Sequence, residues 1–382
     1  METGMENTSI NMGRSLSGKK AVSGRNGEIE LLRFIACIAI IFFHLNKHIL
    51  GRVTFSGSRW GFFNEAVIAV EFFFICSGFL MAHSAYKEYA GDMSPDDKTL
   101  GKSASSFMYR KIMAFFPYHV IAFIMAWVTV TVINWKGISD AVHNAIESIP
   151  GFFLIHMSGW KMENPQFVEW YLSVMILGML VVYPLIRKHY HVFTRVVAPA
   201  AGIFILGYLY HKYHVLGDVK SWDVFCFKAV LRGVAELCLG AFTYEVVRIL
   251  KEKIDVRRAR LFNTFVYVGG IIAFILFCCR KMDREYQFFW VPVFMLIVAV
   301  CFLGGTYLDR ILNNRFIMFL GKFSLPLYLA QVVGVRIAES RLLPKDMGGW
   351  TRFAIGAAIT LVAALIVLWI GDLLKRLLTK RQ

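Results

Sequence analysis

The stretch Glu30-Leu-Leu-Arg33-Phe-Ile-Ala-Cys37-Ile-Ala-Ile-Ile-Phe-Phe-His44 decides how this chain is read. Every residue between Arg33 and His44 is apolar. An ionisable group that deep in a lipid-crossing segment costs about 2.5–3.5 kcal/mol if charged, and it normally faces a protein interior or a wet cavity. His44 is therefore either a structural histidine bonded to a neighbouring helix or a working group. As a neutral imidazole it can accept a proton from a hydroxyl. At 1.5 Å per residue it lies about 20 Å from a helix start near Leu31, past the middle of a bilayer core about 30 Å thick. His48, one turn on, shares its face. No HExxH pattern or nearby carboxylate supports a metal there, and none is expected.

The rest of the chain has the same character. Its 382 residues are 57% hydrophobic and 15% aromatic, with a mean hydropathy of +0.55. The apolar residues gather in about ten blocks of membrane-crossing length. They cover 31–50, 66–86, 112–134, 168–186, 193–211, 224–247, 261–279, 287–308, 316–338 and 353–374. The expected fold is an all-α integral membrane bundle over 28–376. Residues 1–27 form a polar, disordered tail without the apolar core of a signal peptide, and 377–382 form a second short tail. The segment 145–159, broken by Pro150 and Gly151, is too short to span and reads as interfacial or re-entrant.

The formal charge of +16 does not indicate nucleic acid. Lysine and arginine fall between the apolar blocks, about two to one in favour of the side that holds both tails. Both termini are expected in the cytoplasm, in a multi-pass protein of the cell inner membrane. The cysteines lie in or beside apolar blocks and read as small buried hydrophobes rather than a disulfide framework.

Other polar groups mark candidate sites. Glu71 stands at the start of the second block, with Ser77-Gly78 further along it. Ser77 lacks a GxSxG context, and Gly78 suits close helix packing. Arg110-Lys111 precedes Pro117-Tyr118 and suits either an anionic phosphate or a positive-inside anchor. Arg232 and Glu236, four apart, are expected to pair, and Lys228 to snorkel. A transporter or flippase of a glycan or small anion is the rival reading. It calls for inverted repeats or paired broken helices, and the sequence offers only the Pro150-Gly151 break.

Six motifs in order then resemble acyltransferase family three, the polytopic membrane O-acyltransferases. They are Glu30-Leu-Leu-Arg33 leading to His44; Phe72-Phe-Phe-Ile-Cys-Ser77-Gly78-Phe79; Arg110-Lys111 with Pro117; Trp170-Tyr171-Leu172 with Pro184-Leu185; Arg232 with Leu239-Gly240; and Gly321-Lys322-Phe323-Ser324 with Tyr328-Leu329. The resemblance implies acyl-CoA, most simply acetyl-CoA, as a co-substrate rather than a permanently bound cofactor. It implies His44 as base and a sugar hydroxyl of an envelope glycan or lipid-linked sugar as acceptor. Arg33, Arg110 and Lys111 are then expected near the CoA phosphates, and Glu71, Ser77, Trp170 and Tyr328 near substrate or the oxyanion. Expected partners are acyl-CoA, the glycan and membrane lipids, with a homo-oligomer left open. Ala114, Met175 and Gln331 stand where many members carry Arg, Glu and His.

Overall fold

The structure, a computed structural model, describes residues 25–55, 58–160, 164–255, 257–344 and 346–379. Most of the expected N-terminal tail and residues 380–382 lie outside the described residues. Ten long helices run through those described: α1 (Gly27–Leu45), α2 (Ala69–Gly91), α3 (Asp97–Ile133), α4 (Trp170–Lys188), α5 (Ala198–Tyr213), α6 (Lys228–Lys253), α7 (Arg260–Cys278), α8 (Trp290–Leu303), α9 (Arg315–Glu339) and α10 (Gly349–Thr379). No β-strand occurs among the described residues; the β-pairing is limited to isolated bridges.

Eight helical segments are long and apolar enough to cross a membrane. The exceptions among the long helices are α1 and α6. Both carry several charges, Glu28, Glu30 and Arg33 in α1 and Lys228, Arg232, Glu236, Glu245 and Arg248 in α6. Both are nevertheless deeply packed. α6 lies against α2, α4, α5 and α8, and α1 against α9.

Local sequence sets the helix ends. Asn26 caps α1, its side chain accepting from Glu28 N at 2.9 Å and Ile29 N at 3.2 Å. Acidic Glu28 and Glu30 in the first turn suit the helix dipole. At the other end α1 widens into a π-helical turn, Asn46–Leu50, and stops at Gly51, whose φ of +67° suits a residue without a side chain.

α3 begins well before the expected span at 112. Asp96 caps it by accepting from Thr99 N at 2.8 Å, and these bonds hold the Asp96 carboxyl below its ordinary range. Its first turns are largely exposed and polar, so an apolar count alone misses them. The stretch between the blocks expected at 66–86 and 112–134 is therefore mostly helix. The 145–159 segment comprises the end of a helix over Ile138–Glu147, a turn of helix at Ile149–Phe152 and a 3-10 turn at His156–Ser158. Pro150, Gly151, Leu154 and Met157 are buried there.

Glycine brings α2 and α6 into close contact. A Cβ on Gly78 would strike the Leu237 carbonyl, and one on Gly240 would strike the Ile75 carbonyl. Gly78→Val should force these backbones apart and cost about 1–3 kcal/mol. Thermal unfolding of detergent-purified protein checks this: a fall of several degrees is expected, and an unchanged transition contradicts the contact.

Candidate active site

A cavity of about 830 Å³ opens among α1, α2, α3, α4, α6 and α9. Its wall includes five lysine or arginine side chains, Arg25, Arg33, Lys111, Arg248 and Lys251, against one carboxylate, Glu30. Glu30 is already shared: Arg25 Nε donates to it at 2.8 Å and Arg33 Nη1 at 3.4 Å. Gly321 makes room for Glu30, since a Cβ there would overlap the carboxylate. Lys111 is half-buried and makes no ion pair among the described residues. The mouth is thus strongly positive, a surface suited to phosphate.

The cavity is also lined by Phe73, Tyr171 and Tyr328, whose ring centroids lie 5.9–6.5 Å apart. Ser77 Oγ lies 3.1 Å from Tyr171 Oη and 3.5 Å from Met175 Sδ. Tyr171 donates to the Phe73 carbonyl at 3.2 Å. Tyr328 donates to the Val168 carbonyl at 2.6 Å, so its proton is engaged. Two of the positions that depart from the family pattern, Ala114 and Met175, line this same cavity. The third, Gln331, is buried, with Nε2 on the Tyr328 carbonyl and Oε1 unpaired.

His44 does not line the cavity. It sits about three turns and about 16 Å beyond Arg33 on nearly the same face of α1. Between them Cys37 is fully buried and donates to the Ser324 carbonyl at 3.1 Å. The His44 ring meets Phe167 edge-on at 5.1 Å and lies 6.2 Å from His48. Its Nδ1 is buried with no hydrogen-bond partner.

The other expected residues divide sharply. Lys111, Arg33, Ser77 and Tyr328 converge on the cavity. Arg110 turns away to Glu88 at 3.3 Å and is well exposed. Glu71 and Trp170 gather instead around Arg232, which is fully buried. Arg232 pairs with Glu71 across helices and with Glu236 at 3.2 Å on its own helix. It also donates to the Leu216 carbonyl at 3.2 Å and lies over the Trp170 ring at 5.4 Å. Lys228 does not snorkel: it is buried, with Nζ on the Val215 carbonyl. Glu169, the carboxylate just before Trp170, is taken by His119 Nδ1 at 2.6 Å, and His119 Nε2 bonds the Phe152 carbonyl at 2.8 Å. Nearby His156, in the connection before α4, is held down to about 4 by burial and stays neutral.

Sequence reasoning missed His83, Tyr244, Arg248 and Lys251 in the cavity wall. Arg248 and Lys251 belong to a basic stretch whose topological role hid a second one. Glu245 holds Arg248 through contacts of 2.9 Å, and Arg248 lies over the Tyr86 ring at 5.1 Å. Among the described residues no group of three His, Cys, Asp or Glu side chains is placed to hold a metal ion.

The family model described as an acyltransferase domain, acyltransferase family three, matches residues 26–369, nearly the whole chain. The chain belongs to this acyltransferase family. Neither the curated proteins nor the solved structures contain a significant match to the chain. With its apolar helices, the chain is thus a membrane acyltransferase, and the cavity is where its family chemistry is to be sought.

Removing one member of the Arg232 cluster tests its structural role. Arg232→Met leaves Glu71 and Glu236 buried without counter-charge, at a cost of about 3–5 kcal/mol. Size-exclusion profiles and thermal unfolding should show loss of folded protein. The triple variant Glu71→Leu, Arg232→Met, Glu236→Leu should recover much of it. A folded single variant with unchanged unfolding contradicts this role.

Proposed function

We propose that the protein transfers an acyl group, acetyl in the simplest case, from cytoplasmic acyl-CoA to a hydroxyl of a cell-envelope glycan or lipid-linked sugar. The observation that carries this reading is the alignment on α1. A phosphate-suited cavity wall at Arg33 and a proton acceptor at His44 lie on nearly the same face of one helix, about three turns apart.

In this reading all ten long helices cross the inner membrane and both termini are cytoplasmic. The charges of α1 and α6 are tolerated because Glu30 meets Arg25 and Arg33, and Arg232 meets Glu71 and Glu236. Arg33 and Lys111 bind the CoA phosphates, with Arg248 and Lys251 beside them. The pantetheine arm runs inward past Phe73 and Tyr328, whose rings must shift to admit it.

His44 then takes the proton of the acceptor hydroxyl as its oxygen attacks the thioester carbonyl carbon. The carbon–sulfur bond breaks, and the proton held by His44 passes to the departing thiolate. Ser77, which lines the cavity and has only the neutral Tyr171 hydroxyl and the Met175 thioether as acceptors, is the better-placed donor to the transient oxyanion. Tyr328 would first have to release the Val168 carbonyl.

Purified enzyme in lipid nanodiscs tests the assignment. His44→Ala should abolish transfer to glycan while acyl-CoA still binds and the protein stays folded; retained transfer sinks the base. Lys111→Ala should raise KM for acyl-CoA about tenfold, the scale of one charge-assisted phosphate contact, while Arg110→Ala changes it little. Equal effects at the two positions contradict the binding mode.

A further inference from the structure

The surroundings of His44 carry charge that the reaction as described does not use. Lys47 stands in the π-helical turn that follows α1, and Arg52 follows Gly51 with its guanidinium 5.5 Å over the Phe43 ring. Arg52 and Lys220 are within electrostatic range of Lys47, and Lys47 and His48 are within range of His44. Lys220, from the connection between α5 and α6, is also within electrostatic range of His156. Lys47, Arg52 and Lys220 are exposed, and none makes an ion pair among the described residues.

Among the described residues the nearby acids have other partners. Glu339 is shared by His48 and Arg336, each at 3.4 Å, and Arg336 lies 5.3 Å over the Phe167 ring that also touches His44. Glu65, the acid in range of Arg52, is buried and accepts from Gln287 at 3.3 Å. A neighbouring lysine outside this group, Lys212, is paired with Asp223. Among the described residues these three cations are thus left open, with Lys47 within range of His44, whose Nδ1 has no hydrogen-bond partner.

We infer that the acceptor is anionic: a glycan bearing a phosphate or carboxylate group close to the hydroxyl that is acylated, held by Lys47, Arg52 and Lys220. This inference rests on His44 being the base. Exposed cations attract a phosphate or carboxylate and steer its approach. Bound there, the anion also supplies the counter-charge that an imidazolium at His44 lacks. An anionic lipid headgroup offers the same chemistry, and the test separates the two sources.

Mass spectrometry of envelope glycans from cells with and without the gene identifies the acylated unit. A repeat carrying phosphate or carboxylate on or next to that unit is expected; a neutral repeat overturns the inference. With that glycan as substrate and enzyme in nanodiscs of zwitterionic lipid, Lys47→Gln/Lys220→Gln should raise the acceptor KM about tenfold and leave the acyl-CoA KM unchanged, the scale of two exposed ion pairs. An unchanged acceptor KM overturns it. So does an effect seen only with anionic lipid, which would assign the cations to headgroups. The His44→Ala arm keeps the two claims apart. Product from that variant defeats the base assignment, whereas its loss together with a neutral acceptor defeats only the anionic one.

Discussion

A guanidinium in the middle of a helix bundle must find its counter-charge on a neighbouring helix, and Arg232 does so through Glu71. That pair fixes α6 against α2. The glycines at Gly78 and Gly240 let the two backbones close on each other beside it. Glu236 and the Trp170 face complete the surroundings, so α4 is drawn into the same junction. The cavity lies along these helices, with Ser77, Tyr171 and Met175 on their inner faces. Burying three charged groups is costly unless each is paired. Here the cost sits at the joint that shapes the site.

The site itself has two ends joined by one helix. At the Asn26 end of α1 the walls are basic and partly compensated by Glu30. At the other end His44 rests on Phe167 with a buried nitrogen unpaired. Between them on α1 stands Cys37, fully buried against α9, and the cavity does not reach the histidine.

Much of this was legible in the sequence, and the exceptions have physical reasons. Apolar blocks of bilayer length located the long helices because burial in lipid leaves few polar positions. The start of α3 was not legible, since an exposed polar helix carries no hydropathy signal and only the Asp96 cap marks it. Arg33, Lys111, Ser77 and Tyr328, from four separate motifs, line one cavity. Arg110 does not, because adjacent residues on a helix point about 100° apart and only Lys111 faces inward. Glu71 and Trp170 were read as substrate contacts, yet they surround Arg232. Which carboxylate meets which cation is set by packing between distant helices, and no local pattern encodes it. Arg248 and Lys251 were hidden because a basic run after a span is expected for topology alone.

The central claim is that the basic cavity and His44 are two stations on one route along α1. A cryo-EM structure of the protein bound to a non-hydrolysable acyl-CoA analogue tests it most directly. The account predicts phosphates among Arg33, Lys111, Arg248 and Lys251, Phe73 and Tyr328 rings displaced, and the acyl carbonyl brought up to His44. Nucleotide bound outside the cavity, or an acyl carbonyl ending against a different helix face away from His44, would contradict it.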